Sequence, residues 1–241
     1  INTMVESRLA GVAFIAANTD MQALALSRAP KLMQLGSGIT KGLGAGADPD
    51  RGRDAAQESY DELLEMLEGA HMVFITAGLG GGTGTGAVPV IAKACKEVGA
   101  LTVAVVSKPF YFEGKKRMRN AETGWQTLRE HADTIITVPN DRLLSLMNKN
   151  SSMHDMLLQV DHVLLQAVRG ITDLIIVGLA TDYCVKFTVL DALNLGYTVN
   201  VITDGCRGVN IQPQDSNLAF MEMAAAGATL YTLDDWLETH A

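Results

Sequence analysis

Nine residues, Gly78-Leu79-Gly80-Gly81-Gly82-Thr83-Gly84-Thr85-Gly86, carry six glycines between an apolar run, His71–Ala77, and a helix-period segment that begins near Ala87. Few folds tolerate such a stretch. A strand, a glycine turn and a helix in that order form half of a parallel β-α-β unit, and the rest of the chain repeats the theme. Short apolar runs at Gly11–Ala17, Met33–Leu35, Leu101–Val106, Thr134–Val138, Ile175–Leu179, Thr198–Thr203 and Thr229–Thr232 read as strands. Helical spacing separates them at Ala55–Leu67, Val88–Val98, Gly124–His131 and Val185–Leu195. From Met153 to Gly170, Met156, Leu157, Val160, Val163, Leu164, Ala167 and Val168 form one apolar stripe, which is core packing on a long helix. The fold class is therefore α/β, a Rossmann-like three-layer sandwich around a mostly parallel sheet.

Composition excludes several classes. No apolar run reaches the roughly 20 residues that cross a bilayer, so a membrane partner is not expected. With 19 basic against 27 acidic side chains, the chain does not suit general nucleic-acid binding. Cys95, Cys184 and Cys206 have neither a disulfide framework nor zinc spacing, and no secretory leader precedes them. No metal site and a cytoplasmic location are the corresponding expectations. Charge is uneven: up to Leu174 there are 17 basic and 19 acidic residues, and from Ile175 onward 2 and 8.

The glycine run has two readings, a tightly packed turn or an anion cradle. Glycines let successive backbone N–H groups face inward, the helix start adds partial positive charge, and the threonines add hydroxyls. The strand–turn–helix context favours phosphate. No Lys follows the glycines, so the Walker pattern is absent. Gly82, Gly84 and Ala87 match G-x-G-x-x-A, but the next strand ends in Ser107-Lys108 with no acid for a ribose, which argues against NAD.

The run Gly80–Gly86 resembles the tubulin signature of the FtsZ family of bacterial cell-division GTPases. The likeness continues in order through Phe14–Asp20, Gly42–Ala47, Lys108-Pro109-Phe110, Phe112–Arg119, Val138–Leu144 and Leu165–Ile171, and covers residues 1–174. It implies a guanine nucleotide, GTP or GDP, bound weakly. Gly80, Gly81, Gly82, Thr83, Gly84, Thr85 and Gly86 would grip its phosphates, and Ala45 and Gly46 would approach the terminal one. Glu113 and Arg117 would meet ribose and phosphate, while Asn140 and Asp161 would meet guanine. By charge pattern alone, Lys115, Lys116, Arg117 and Arg119 are a solvated helix face; the family motif singles out Arg117.

The resemblance has gaps. The family opens with a central strand and another glycine-rich loop, and this chain starts just after that loop, within the first helix. Leu157 stands where the family places an aromatic ring against guanine. The acidic segment that follows the family's long helix, and serves the next subunit's nucleotide, is not present after Asp173-Leu174. Impaired hydrolysis and no FtsZ-type filament assembly are the expectations that follow.

Residues 175–241 instead resemble the C-terminal part of nicotinamidase/pyrazinamidase, an isochorismatase-like hydrolase, through Leu179-Ala180-Thr181-Asp182-Tyr183-Cys184-Val185 and Val201–Val209. Cys184 lies on a strand-to-helix turn, where a helix dipole stabilises a thiolate, although a lone Cys is more commonly a small buried apolar residue. The resemblance makes Cys184 the nucleophile, with the N–H groups of Ala180 and Cys184 as oxyanion hole and a cis peptide before Ala180. Its catalytic Asp and Lys and its metal ligands have no counterpart here, and Asp182 and Lys186 belong to the cysteine motif itself. The sequence thus reads as an engineered chimera of two incomplete segments, 1–174 and 175–241, with no linker between them. One recombined domain would result if strand Ile175–Leu179 filled the vacancy between Phe14–Ala17 and His71–Ala77. Three functions stay open: a guanine-nucleotide-binding GTPase domain, a thiol amidase, and a fold-recombination chimera without activity.

Overall fold

A computed structural model describes residues 1–7, 9, 11–144 and 152–240. The chain divides into two compact units, one formed by Ile1–Ser7 with Ala13–Val168 and the other by Arg8–Val12 with Arg169–Ala241.

The first unit begins with helix α1 (Asn2–Glu6), strand β1 (Ile15–Asn18), helix α2 (Met21–Ala25) and strand β2 (Lys31–Gln34). Helices α3 (Ser37–Thr40), α4 (Pro49–Glu58) and α5 (Tyr60–Leu67) follow, then β3 (Met72–Gly78), α6 (Thr83–Glu97) and β4 (Leu101–Lys108). Helix α7 (Lys115–Arg129), strand β5 (Thr134–Pro139), helix α8 (Asn140–Leu143) and the long helix α9 (Met153–Thr172) complete its elements. β3, β4 and β5 form a parallel sheet in that order, while β1 and β2 form a separate parallel pair. β4 is central, and residues Thr102–Ser107 are all buried, as expected of a strand covered on both faces. Helix α6 supplies the heart of the core through Ala87, Val88, Val90, Ala92, Ala94 and Cys95.

Two helices differ from the sequence pattern for physical reasons. The single helix expected over Ala55–Leu67 is two, α4 and α5, parted at Ser59. The polar pair at the break serves the neighbouring turn: Ser59 Oγ accepts the Gly36 N–H at 3.0 Å, and the Glu58 carboxylate accepts those of Gly38 and Ile39 at 2.8 and 3.0 Å. Helix α6 starts at Thr83, so half of the glycine run is helix rather than loop. The glycines there serve close packing. A Cβ on Gly86 would come within 2.0 Å of the Pro49 carbonyl oxygen, and one on Gly84 within 2.4 Å of that of Gly78. Bare backbone on both sides lets α4 lie against the first turns of α6.

The second unit has its own sheet, β6 (Asp173–Leu179), β7 (Thr198–Arg207) and β8 (Thr229–Tyr231), again parallel and in that order. Helices α10 (Lys186–Asn194), α11 (Asp215–Ala225) and α12 (Leu233–His240) alternate with the strands. Val185, Val189, Val199, Val201, Ala219 and Met223 form a core distinct from that of the first unit. The α/β, mostly parallel architecture expected from the sequence is what the chain adopts. The strand at Ile175–Leu179 does not fill the vacancy between β1 and β3, however. It pairs with β7 alone, as an edge strand, with Ile175, Val177 and Leu179 exposed. β6 lies beside the next strand of its own segment, reached through the single crossover helix α10, and that local pairing needs the shorter loop closure.

Candidate functional site

The carboxyl end of β3 turns into α6 through Leu79–Gly82. Gly80 takes φ of 107°, a backbone conformation that favours glycine, and its N–H donates to Thr85 Oγ1 at 2.8 Å. Thr85 is buried and shapes the turn, so it is not free to grip a ligand. Thr83, two residues earlier and half-buried, hydrogen-bonds the hydroxyl of Thr19 at 2.6 Å. No side chain caps the start of α6, and its first turn holds no acid. Its leading N–H groups therefore remain available to an anion, with the helix dipole behind them.

Two other segments converge on this start. The loop before α4 brings Ala45 so near that its Cβ would lie 2.8 Å from a Cβ on Gly82, and the Asp48 N–H is equally close. Gly46, with φ of 63°, faces open space. Asp48 is turned to its own helix, accepting the Asp50 N–H at 3.0 Å. From the far side, the Arg117 guanidinium would lie 3.9 Å from a Cβ on Gly81. Glu113 holds that guanidinium at 2.7 Å, while its other oxygen accepts the Phe110 N–H at 2.8 Å. Glu113 thus aligns the Arg117 guanidinium. Asn120 reaches the Gly80 carbonyl at 3.5 Å.

Asn140, at the start of α8, is 5% exposed, and its Oδ1 has no hydrogen-bond partner among the described residues. A buried amide oxygen left bare costs stability, and a donor from a ligand would satisfy it. Asp161 on α9 lines a cleft of about 210 Å³ with Thr3, Met4, Thr76, Ala77, Gly78 and Leu164. Thr3 Oγ1 donates to its Oδ2 at 3.3 Å. Such a cleft is below the roughly 300–1,000 Å³ of drug-sized ligand sites. Leu157, where an aromatic ring was looked for, is half exposed. The structure therefore gathers Ala45, Gly46, Gly80–Gly86, Glu113 and Arg117 about the start of α6, and sets Asp161 beside the end of β3. Thr19 and Asn120 were not singled out by sequence reasoning. Thr19 sits in the quoted stretch Phe14–Asp20, but only folding reveals its partner.

In the second unit, the Leu179–Ala180 peptide is cis, and a single wide turn, Thr181–Val185, leads into α10 with Cys184 exposed. Burial alone would raise the Asp182 carboxyl, but the N–H groups of Asn210 and Val209, at 2.8 and 2.9 Å, hold it below the ordinary aspartate value. It pins two loops together and stays ionised. Lys186 is paired with Glu222 at 2.9 Å. Thr181 is buried with its hydroxyl unpartnered among the described residues. Neither Asp182 nor Lys186 is free to serve Cys184 as a base, and Cys206 is a buried core residue. Among the described residues no cluster of His, Cys, Asp or Glu is placed to hold a metal, and no helix is long and apolar enough to cross a membrane.

Comparison with known proteins bears on the first unit. Residues 2–148 match the Tubulin/FtsZ family, GTPase domain. Cell division protein FtsZ 2 of Rhizobium meliloti (strain 1021) is 56% identical over 176 residues, which cover 73% of this chain and 51% of that protein. Among solved structures, an empty FtsZ dimer from M. jannaschii superposes with a TM-score of 0.68 at 43% identity, covering 71% of this chain and 50% of that one. GDP-bound monomeric CetZ1 from Haloferax volcanii gives 0.57 at 26% identity, covering 63% and 48%. The chain spans about half the length of the curated relatives it matches. The expectation that FtsZ-type filament assembly is absent does not survive. The likeness to FtsZ is close, a dimer is among the matching structures, and a missing acidic segment does not outweigh it. With the motif order, the convergence on α6 and the match over most of the first unit in agreement, the chain belongs to the Tubulin/FtsZ family of GTPase domains.

Proposed function

We propose that the first unit binds a guanine nucleotide, GTP or GDP, with its phosphates at the uncapped start of α6. The observation that carries this is the convergence of Ala45, Gly82 and the Arg117 guanidinium on that helix start. N–H groups of Gly81–Thr85 would donate to phosphate oxygens, Arg117 would neutralise charge from the opposite side, and Glu113 would fix its direction. The residues fit a guanine: the bare Oδ1 of Asn140 is an acceptor for its N–H groups, as is the Asp161 carboxylate. Titration of the full chain with GTP, GDP and ATP tests the reading. Guanine preference is expected, and equal affinity for ATP overturns it.

Hydrolysis by this chain is proposed to be slow. After Leu174 the sequence leaves the FtsZ pattern and builds a sheet of its own, so the acidic segment of the family is replaced. Self-association is part of the same reading, in keeping with the FtsZ dimer that the chain resembles. Sedimentation with and without GTP measures it.

A second reading concerns residues 175–241 as a nicotinamidase-like segment joined to the FtsZ-like one at 174/175. It is favoured by the way Asp182 ties the two quoted motifs together through Val209 and Asn210, leaving Cys184 exposed on its turn. Amidase activity does not follow, because Asp182 and Lys186, the titratable residues of the cysteine motif, are engaged elsewhere. Ammonia release from nicotinamide should not exceed that of Cys184→Ala; a rate that does would restore the enzyme reading. If neither nucleotide nor amide is recognised, the chain is a recombined fold without a task of its own.

A further inference from the structure

Thr19 directly follows β1 and is fully buried, and its hydroxyl lies 2.6 Å from that of Thr83 at the first position of α6. The two threonines of the glycine run therefore have different duties. Thr85 is spent on the Gly80 N–H, whereas Thr83, at the first position of the helix, is half-buried and shares its hydroxyl with Thr19. A hydroxyl has one proton to give. In the free protein either oxygen of the Thr19–Thr83 pair can be the donor. An anion is an acceptor only, so Thr83 can bond it only by turning its proton outward and accepting from Thr19.

We infer that Thr19 is a positioning residue for the anion: it donates to Thr83 and thereby orders the Thr83 proton toward a bound phosphate. This rests on the nucleotide reading of the site and adds a residue that never touches the ligand. The chain Thr19 O–H to Thr83 O–H to phosphate oxygen is polarised along its length, which strengthens its outer bond. Without Thr19, the Thr83 hydroxyl keeps its proton but loses the donor that fixes its rotor, and a buried acceptor site is left empty.

The test is calorimetric titration of the full chain and its Thr19→Val, Thr19→Ser and Thr83→Ala variants with GDP and guanosine. Thr19→Val should weaken GDP by about 5- to 10-fold, the worth of one hydrogen bond, and leave guanosine unchanged. Thr19→Ser should restore GDP affinity. In the Thr83→Ala background, Thr19→Val should have no further effect. Equal GDP affinity of Thr19→Val and the parent overturns the inference alone. So does a parallel loss for guanosine, which would mark a merely structural role. Absence of GDP binding by the parent chain overturns the nucleotide reading and this inference with it.

Discussion

The α carbon of Gly52 stands so close to Gly82 that a side chain at Gly52 would meet the Gly82 carbonyl oxygen at 2.2 Å. Helix α4 thus rests on the first turn of α6 backbone to backbone, and the geometry of that turn depends on a residue outside the glycine run.

Gly52→Ala should therefore destabilise the first unit by about 1–3 kcal/mol, the usual cost of overpacking, despite the better helix propensity of Ala. Gly170→Ala on α9, where an added methyl meets nothing within 4 Å, is the contrasting case. It should stabilise by up to about 1 kcal/mol. Thermal unfolding checks the pair; melting temperatures that move in the same direction would contradict this packing account.

Arg117 is aimed at Gly81 by Glu113, and half of its side chain is in water. Arg117→Ala should weaken GTP about 10-fold and flatten the salt dependence of binding, since a charge-assisted bond of about 1.5 kcal/mol or more is removed. Guanosine affinity should not move. A loss shared by guanosine would place Arg117 elsewhere in the mechanism of binding.

In the proposed guanine site, the bare amide oxygen of Asn140 would read the base. Asn140→Ala should lower GTP affinity by about 10-fold and leave ATP where it was, narrowing the guanine preference. Competition between the two nucleotides measures this, and an unchanged ratio would remove Asn140 from the site.

Thiol chemistry should separate the three cysteines. Cys184 is exposed, whereas Cys95 and Cys206 are buried, and burial pushes the Cys95 thiol up to about 11 from its ordinary value near 9 and raises that of Cys206. At pH 8 one equivalent of a thiol reagent should react with the folded chain and none with Cys184→Ala. The raised Cys95 value also predicts a stability trend. The folded state holds the proton that the unfolded chain releases near pH 9, so stability is full below that pH and falls as pH rises towards 11. The loss is about 2–3 kcal/mol for this thiol. Denaturant midpoints across that range should decline less steeply in Cys95→Ala.

The strands were legible because their apolar runs are local: the span read as Leu101–Val106 extends only to Lys108, and the six buried residues of β4 are contiguous in the chain. The glycine signature of the family was legible for the same reason, because Gly80–Gly86 are neighbours in sequence. The start of α6 was misplaced because glycine inside a helix costs propensity, and the approach of α4 that requires it comes from a distant part of the chain (Pro49 against Gly86). Strand Ile175–Leu179 was likewise recognisable as a strand, but an apolar run carries no mark of which edge it will pair with.

By itself, the amino-acid sequence determined the alternation of strands and helices, the glycine turn between β3 and α6, and the family of the first two-thirds of the chain. Tertiary structure alone decided that β6 joins β7, that Thr85 shapes the turn while Thr83 meets Thr19, and that Asn140 is buried with an oxygen to spare. The physical reason is range. Propensity and periodicity act over a few residues and are written along the chain, whereas hydrogen-bond partners and close backbone approaches join segments that only folding brings together.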